Sequence, residues 1–329
     1  MGITVRDIAK KANTSPSTVS RYFSGSKNVS PDIAERIETA AKSLGYQYKR
    51  QNHRPKQIAV LIPDITFEFN KDILNEIIHQ AEKYKFRLIM IPTYDKSRNF
   101  LHILQKYEID GVICLDEETD RSIIEYLVAR DIKTIMCAGA SNYRDVETIH
   151  VNEIAAAYDG TQYLLGLGHR KILFLADNSI HQSTGFQRHF GCHQAMKEKG
   201  LVFDDTNVRY CSTFGYDDGY RLTKQAIQEG TEFTAIFAFS DETALGALSA
   251  LHDLGRHVPE DVSVLGFDGL AISEHSIPRL TTIKQPIEWM VAKAFESLST
   301  TGNRNRSVET TLPYELVIRE SCKAIGGNE

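Results

Sequence analysis

The spacing of apolar residues changes after residue 56, and this change divides the sequence into two regions. In the first region apolar residues recur every three or four positions, as at Ile33 and Ile37, which predicts short amphipathic helices. In the second region short apolar runs, such as 58–62 and 111–114, alternate with amphipathic stretches. The pattern predicts a small helical unit followed by a larger α/β unit.

Three signals for the start of a helix occur in the first region. Thr4 can cap one helix, and the pairs Ser15-Pro16 and Ser30-Pro31 each place a capping hydroxyl before a proline. Proline is tolerated in a first turn because its missing N–H would have no helical partner there. The sequence therefore predicts three short helices, of which the second begins at Pro16.

The second helix is predicted to bury Val19 and to expose Ser17, Ser20 and Arg21. Small polar side chains let a helix approach the major groove of DNA closely, and arginine can form two hydrogen bonds with guanine. This arrangement is typical of a helix-turn-helix domain, with a generic three-helix bundle as the alternative.

The apolar runs of the second region predict strands at 58–62, 87–91, 111–114, 134–137, 172–175, 235–238 and 262–266. Helices are predicted between them, among others over 73–84, 158–167 and 190–199. Strands and helices in this alternation indicate two doubly wound lobes, whose ligands bind beyond the carboxyl ends of the strands. The residues at those ends are 63–69, Asp116, Ala138, Gly139, Asp177, Ser240, Asp241 and Asp268. Polar groups mixed with aromatic residues, as among these, suit a sugar.

Composition limits the class of protein. The five cysteines are odd in number and form no CxxC pair, which favours reduced thiols over disulfides or a zinc site. No apolar run reaches 18 residues, and the N-terminus has no apolar signal core. We therefore expect a cytoplasmic protein without a membrane partner.

The charge is distributed unevenly. Residues 1–56 hold eleven Lys and Arg against four Asp and Glu, although the whole chain has a net charge of −5. A basic head on an acidic body favours a polyanionic partner for the head, while a solvated charged surface is the alternative. No catalytic signature, cofactor-binding motif or metal-ligand spacing is found in the sequence. We therefore expect no enzyme activity, no cofactor and no metal site.

The first region closely resembles the N-terminal signature of the lactose/galactose repressor (LacI/GalR) family. The resemblance rests on segments 5–12 (VRDIAKKA), 15–21 (SPSTVSR), 29–31 (VSP) and 44–46 (LGY). It continues through the core in 62–65 (IPDI), 109–113 (IDGVI), 167–172 (LGHRKI), 240–246 (SDETALG), 262–268 (VSVLGFD) and 278–286 (PRLTTIKQP). It thus covers almost the whole chain.

The resemblance implies a fold class and a domain organisation. The fold would be α/β, with an N-terminal three-helix helix-turn-helix headpiece and a two-lobed, doubly wound, periplasmic-binding-protein-like core. The implied domains are the headpiece (1–46), a basic linker (47–56) and a core for effector binding and dimerisation (57–329). The implied lobes of the core are 57–160 with 286–305, and 161–285 with 306–322.

The resemblance also implies roles in DNA binding. Pro16, Ser17 and Arg21 match the base-reading positions of the family, and Pro16 supplies no hydrogen-bond donor there. The positions that match contacts to the DNA backbone are Thr4, Ser15, Thr18, Ser20, Asn28 and Tyr46.

The linker departs from the family pattern. Segment 47–56 lacks the leucine that the family inserts into the minor groove, and Pro55 would end a helix early. Its basic residues Lys49, Arg50 and Arg54 could still contact phosphates, with a plain tether as the alternative. We therefore do not expect the leucine wedge in this chain.

The positions that match effector contacts of the family are Phe67, Phe69, Asn152, Arg188, Phe214, Ser240 and Asp268. Arg188 and Asp268 form the central pair of this prediction, because a guanidinium and a carboxylate can each bind two neighbouring hydroxyls. Ser240 stands where asparagine is commoner. His189, next to Arg188, makes a sugar phosphate conceivable, and a neutral sugar fits equally well.

The predicted function is a sequence-specific transcriptional regulator, most simply a repressor, of carbohydrate-utilisation genes. It would bind double-stranded operator DNA as a homodimer and respond to a sugar or sugar phosphate between its lobes. One alternative is a sugar-binding receptor without DNA function. Another is a regulator controlled by a phosphocarrier protein instead of a sugar.

Overall fold

A computed structural model describes residues 3–23, 29–44, 46, 56–94, 100–117, 119–139, 141, 143–177, 184–204, 206–212, 214–300 and 308–325. The chain separates into two compact units, residues 1–56 and 57–329. Four predicted DNA-contacting residues lie outside the described residues: Asn28, Lys49, Arg50 and Arg54.

The first unit contains α1 (Val5–Lys11), α2 (Pro16–Phe23) and α3 (Pro31–Ser43). The two proline starts predicted from the sequence are confirmed. Ile8, Val19 and Ile37, one from each helix, are fully buried in a shared core. The three helices are held together by this small apolar cluster.

Local polar contacts fix the starts of the first two helices. The carboxylate of Asp7 accepts hydrogen bonds from the backbone N–H and the hydroxyl of Thr4, at 2.8 and 2.7 Å. The hydroxyl bond from Thr4, followed by the backbone bond, lowers the pKa of Asp7. Ser15 Oγ accepts from the N–H of Thr18 at 3.1 Å, so the predicted Ser15 cap is made, whereas Ser30 makes no side-chain capping bond at the start of α3.

The second unit alternates strands and helices. In chain order these are β1 (Gln57–Ile62), α4 (Glu68–Tyr84), β2 (Arg87–Pro92), α5 (Phe100–Lys106), β3 (Gly111–Cys114), α6 (Arg121–Ala129), β4 (Lys133–Cys137), β5 (Glu147–Val151), α7 (Glu153–Gly166), β6 (Ile172–Asp177), α8 (Thr184–Glu198), β7 (Val208–Cys211), α9 (Tyr216–Gln228), β8 (Ala235–Ala238), α10 (Asp241–Asp253), β9 (Ser263–Asp268), α11 (Ala271–His275), β10 (Thr281–Lys284), α12 (Ile287–Ser299), β11 (Glu309–Leu312) and β12 (Glu315–Val317).

Within the described residues these strands form two six-stranded sheets, one in each lobe. The first has the order β11-β5-β4-β3-β1-β2 and is parallel throughout. The second has the order β12-β10-β9-β8-β6-β7, and only β12 is antiparallel to its neighbour. Strands buried on both faces are expected to be continuously apolar, as in Ile58–Ile62. The predicted fold class, a helix-turn-helix unit with a two-lobed doubly wound core, is confirmed.

The lobe boundaries differ from the prediction at two crossings. Helix α7 was assigned to the first lobe as far as residue 160, but its residues Ala156 and Ala157 are buried in the core of the second lobe. Strand β11 was assigned to the second lobe, but it pairs with β5 at the edge of the first sheet. The chain therefore passes from one lobe to the other near residues 152, 285 and 313. Periodicity indicates which segments are strands, whereas the choice of sheet depends on long-range pairing.

Candidate effector cavity and DNA-binding surface

Helix α2 has one buried and one exposed side. Val19 and Phe23 face the core of the headpiece, whereas Ser17, Ser20 and Arg21 are exposed. Residues three and four positions apart share a helix face, so these three side chains lie together. The structure thus brings together the predicted base-reading side chains of Ser17 and Arg21, and it leaves Pro16 exposed at the start of the same helix.

The turn between α1 and α2 is fixed from α3. Arg36 donates through Nη2 to the backbone carbonyls of Ala12 and Asn13, at 2.7 and 2.9 Å. Asn13 has a φ of 49°, a left-handed conformation that asparagine tolerates better than most residues. The sequence pattern did not identify Arg36, because its role depends on a carbonyl pair more than 20 positions away.

Two of the residues predicted to contact the DNA backbone, Ser15 and Thr18, lie at the start of α2, and Tyr46 packs beside its end. The hydroxyl of Ser15 lies 2.7 Å from that of Ser17 and 2.8 Å from that of Thr18. The Tyr46 ring packs 5.8 Å from the Phe23 ring, at the edge of the headpiece core. The hydroxyls form an ordered cluster beside the exposed face of α2, which suits contact with phosphate oxygens.

In the second unit a cavity of about 490 Å³ lies between the lobes, beyond the carboxyl ends of their strands. This is where doubly wound sheets bind ligands, and the volume falls within the range of small-molecule sites. The residues that line it are Pro63, Phe67, Phe69, Asn70, Thr93, Tyr94, Leu115, Asp116, Glu117, Ala138, Asp177, Thr184, Arg188, Ser212, Phe214, Ser240, Glu242, Asp268 and Gln285.

Six of the seven predicted effector-contacting residues line this cavity. They are Phe67, Phe69, Arg188, Phe214, Ser240 and Asp268. The seventh, Asn152, does not line it; its side-chain oxygen accepts from the N–H of Ala155 at 3.0 Å and caps α7. A polar residue that follows a strand can serve the next helix instead of a ligand, and the sequence alone does not separate these roles.

Three non-glycine residues of the cavity wall have positive φ angles. They are Ala138 at 63°, Phe214 at 59° and Asp268 at 111°. Such conformations cost free energy for residues with a Cβ atom and concentrate at functional sites. Their occurrence together on one cavity wall supports a ligand-binding role for this cavity.

Arg188 is held in a buried network that the sequence did not predict. Its Nε donates to Glu153 Oε2 at 2.7 Å, its Nη1 donates to the carbonyl of Phe239, and its guanidinium lies 3.7 Å from the ring centre of Phe267. Its Nη2 is 3.6 Å from Asp268 Oδ1. Burial alone would lower the pKa of Arg188, but Glu153 and Asp268 raise it overall. The guanidinium is therefore charged and largely committed to protein partners.

The close approach of α7 and α8 makes this pairing possible. A Cβ atom on Gly191, one turn after Arg188, would lie 2.2 Å from the backbone oxygen of Ile154. Glycine therefore allows α8 to pack directly on α7, beside Glu153 at the start of that helix.

Asp268 ends β9 and is almost fully buried. Its Oδ1 accepts from Gln285 Nε2 at 2.9 Å. Burial raises the pKa of Asp268 to about 7, although Arg188 and Gln285 act in the opposite direction. The carboxyl group therefore titrates near neutral pH, where a bound ligand can shift its protonation.

Ser240 has a structural role within the cavity wall. Its hydroxyl donates to the carbonyl of Phe214 at 2.9 Å and accepts from the N–H of Thr243 at 3.1 Å, which caps α10. Because its proton is already used, Ser240 has acceptor capacity but little donor capacity for a ligand.

Most of the charged side chains in the described cavity wall are acidic. Its carboxylates are Asp116, Glu117, Asp177, Glu242 and Asp268. Two like charges 4 Å apart repel by about 4 kcal/mol at an effective dielectric of 20, so this wall disfavours an anionic ligand. His189, which made a sugar phosphate conceivable, does not line the cavity and packs 4.8 Å from the ring of Phe203.

Two of these carboxylates connect the lobes. Glu242 of the second lobe accepts from the N–H of Glu68, at the start of α4 in the first lobe, at 2.9 Å. Glu117 of the first lobe accepts from the N–H of Thr184, at the start of α8 in the second, at 3.0 Å. A ligand that touches either carboxylate would also act on the contact between the lobes.

Sequence reasoning missed Glu153, Glu242 and Gln285. Glu242 follows a strand end that was identified, so its position gave a signal. Gln285 directly follows β10, a strand that the apolar runs did not reveal. Glu153 gave no signal, because its role depends on a contact with a residue 35 positions away.

An exposed helix-turn-helix face, together with a cavity between two doubly wound lobes, defines a class of DNA-binding proteins that carry a ligand-binding core. Residues 4–48 match the model described as bacterial regulatory proteins, lacI family. Residues 161–322 match that of the periplasmic binding protein-like domain.

Similar proteins extend over the whole chain. The NTD biosynthesis operon regulator NtdR of Bacillus subtilis (strain 168) is 30% identical over 332 residues, which covers 97% of this chain and 99% of the relative. Catabolite control protein A of Priestia megaterium is 27% identical over 333 residues, with 98% and 100% covered. A solved structure of the transcriptional regulator CelR in complex with cellobiose is 27% identical, has a TM-score of 0.70, and covers 97% of this chain and 100% of its own.

The chain belongs to the lacI family of bacterial regulatory proteins, and it is a DNA-binding transcriptional regulator. No helix in the described part of the chain is long and apolar enough to span a membrane. The described residues also contain no group of three His, Cys, Asp or Glu side chains arranged to hold a metal ion.

Proposed function

We propose that this protein is a sequence-specific repressor of carbohydrate-utilisation genes, and not an enzyme. It acts in the cytoplasm, where it binds operator DNA as a homodimer and responds to a carbohydrate effector in the cavity between its lobes. The observation that carries the proposal is the pairing of an exposed Ser17-Ser20-Arg21 face with a cavity at the strand ends of both lobes.

The proposed DNA contact follows from α2. Arg21 would bind a guanine edge, Ser17 an adjacent base, and Pro16 would pack against the groove without donating. Thr4, Ser15, Thr18, Ser20 and Tyr46 would contact the DNA backbone and fix the register of the helix. One such helix reads only a few base pairs, so specificity favours two half-sites and a dimer with two-fold symmetry.

An exposed apolar edge of the second lobe supports the homodimer. Ile277 is 95% exposed and Ile318 is 61% exposed. They lie within two residues of Arg279 and Glu320, which pair at 2.8 Å, so both isoleucines belong to the same edge. Large exposed apolar side chains on one edge are typical of a protein interface. Ile277→Lys should shift the sedimentation coefficient from dimer to monomer.

The effector would act through the contact between the lobes. Its binding in the cavity would change the population of closed lobes by its difference in affinity for the two states, and DNA affinity would change by the same coupling. The backbone bonds to Glu242 and Glu117 are the described contacts on which this closure depends.

The test is to select a duplex from a random pool with the full chain and to titrate it at rising salt. Affinity should fall steeply with salt, and deletion of residues 1–56 should abolish binding of the duplex. Weak, salt-insensitive binding that survives the deletion would instead favour a sugar-binding receptor. A selected duplex that responds to a phosphocarrier protein, and to no carbohydrate, would contradict the proposed effector.

A further inference from the structure

The polar groups of the described cavity wall are unbalanced. Five carboxylates line it, whereas Arg188 is the only Lys or Arg among the described lining residues. Arg188 already donates to Glu153 and to the carbonyl of Phe239, and Ser240 donates to the carbonyl of Phe214. Asp116, Glu117, Glu242 and Asp268 also accept hydrogen bonds from the protein, but each carboxylate can accept more than one, so the described wall retains more acceptor than donor capacity.

Gln285 adds an independent observation. It lines the cavity, is 3% exposed, and its Nε2 donates to Asp268 Oδ1. When Asp268 is ionised, that bond fixes the orientation of the amide, since only the nitrogen can donate to a carboxylate. The opposite atom, Oε1, is buried and has no hydrogen-bond partner among the described residues. A buried acceptor without a partner is costly, and a donor supplied by a ligand would remove that cost.

We propose that the effector is a basic carbohydrate, in which a protonated amine binds Asp268 and Gln285, with Glu242 nearby. The inference rests on the proposed function and specifies the chemical class of its effector. An ammonium group supplies three donors and no acceptor, which is the complement of this wall. A hydroxyl could satisfy Gln285 Oε1, but it would leave the excess negative charge unbalanced. A phosphate would add both acceptors and negative charge.

The remainder of the cavity suits the carbohydrate body. Phe67, Phe69 and Phe214 supply aromatic surface on the same wall, against which the apolar face of a sugar ring can pack. An aromatic face also attracts a nearby cation.

The test uses the full chain and matched ligand sets in isothermal titration calorimetry at neutral pH and fixed ionic strength. Each set contains the 2-amino, neutral, N-acetyl and 6-phosphate forms of one hexose, with glucose, galactose and mannose as the three sets. In at least one set the amino form should bind at least tenfold more tightly than the neutral and N-acetyl forms, with the phosphate weakest. Equal or tighter binding of a neutral or phosphorylated form, or no binding of any amino form, would overturn the inference.

Two isosteric variants connect the preference to the wall. Asp268→Asn and Glu242→Gln should each reduce the preference for the amino form at least tenfold, because they remove charge but keep size and hydrogen bonding. Thermal melting in the absence of ligand checks that both variants fold. If one variant does not fold, the other is sufficient for the test. Unchanged preference in a folded variant would contradict the assigned position of the amine.

A second experiment, which measures DNA affinity, separates this inference from the proposed function. Each ligand is added to the complex of the full chain with its selected duplex. If a neutral sugar alone changes DNA affinity, the proposed function stands and the basic effector is wrong. If DNA affinity responds to no carbohydrate, the carbohydrate-controlled function is wrong and the inference falls with it.

Discussion

The headpiece and the effector cavity illustrate two ways in which a chain builds a binding surface. The DNA-binding face lies on one helix of eight residues, so its members are neighbours in sequence and all of them are exposed. The cavity collects residues from Pro63 to Gln285, contributed by both lobes. The first surface belongs to a basic headpiece and complements a polyanion, whereas the charged side chains of the second are mostly carboxylates, and most of its residues are buried or half-buried.

The difference matters for how each surface tolerates change. An exposed side chain on α2 can be removed without affecting packing, so a substitution there measures recognition. The polar residues of the cavity also support the fold: Arg188 neutralises Glu153, and Ser240 caps α10. A substitution there measures recognition and stability together, and the two must be separated by design.

The largest expected effect concerns Arg188. Arg188→Ala leaves Glu153, which is 1% exposed, without its charged partner, and we expect a loss of about 3–5 kcal/mol in the free energy of unfolding. Urea unfolding followed by circular dichroism measures it. A double variant, Glu153→Leu with Arg188→Met, should lose less, because it removes the buried charge of Glu153, whereas both variants remove the cation beside Asp268. Equal losses would show that the pair of Arg188 and Glu153 is not the source of the effect.

Because Arg188→Ala also destabilises the fold, loss of effector binding in this variant alone does not prove that Arg188 contacts the effector.

The second largest expected effect concerns Gly191, where α7 and α8 pack closely behind the cavity. In Gly191→Ala the new methyl group would meet the backbone oxygen of Ile154, and α7 and α8 must separate. We expect a loss of about 1–3 kcal/mol in the free energy of unfolding, together with weaker effector binding. Gly166→Ala is the matched control, because no atom lies within 4 Å of its added Cβ and alanine favours a helix. Equal free energies of unfolding of the two variants in urea would contradict the close approach of α8 to α7.

A change on α2 should leave the core untouched. Arg21→Ala should weaken binding of the selected duplex by about 1–3 kcal/mol, roughly 5- to 150-fold, and relax specificity at one base pair. Effector affinity in calorimetry should not change. Lys42→Ala, which removes an exposed lysine that pairs with Glu38 on α3, should have little effect. If both variants weaken binding equally, simple charge attraction and not base reading explains the headpiece.

Asp268 predicts a pH dependence of stability. Its folded pKa of about 7 lies above the ordinary value of 3.8, so the folded protein keeps a proton that the unfolded chain releases. Between about pH 4 and pH 7 this group makes the free energy of unfolding fall as pH rises, by up to about 1.4 kcal/mol per unit. The charged and polar groups that face it are Arg188, Glu153, Asp241, Glu242 and Gln285.

Burial also strongly raises the pKa of Asp241, and its contribution has the same sign. The difference between the wild type and Asp268→Asn isolates Asp268. Urea titrations at pH 5, 6 and 7 should show a shallower pH slope in the variant. Identical pH slopes of the wild type and the variant would show that a group other than Asp268 causes the pH dependence.

The sequence by itself determined the features that depend on neighbouring residues. The helix starts at Pro16 and Pro31, the exposed face of α2 and the buried strand 58–62 follow from capping, helical spacing and continuous apolarity. The pattern of strand ends also placed Asp116, Asp177 and Asp268 on the ligand side of the sheets, because parallel strands share that edge.

Only the tertiary structure decided which of these residues meet. It removed Asn152 from the cavity wall, assigned β11 to the first lobe, and paired Arg188 with a glutamate that gave no sequence signal. It also left Gln285 Oε1 without a partner among the described residues, beside the carboxylates of the cavity, an observation on which the proposed effector class rests. Such outcomes depend on contacts between distant segments, whose free energy is set by packing and charge in three dimensions and leaves no periodic signal in the chain.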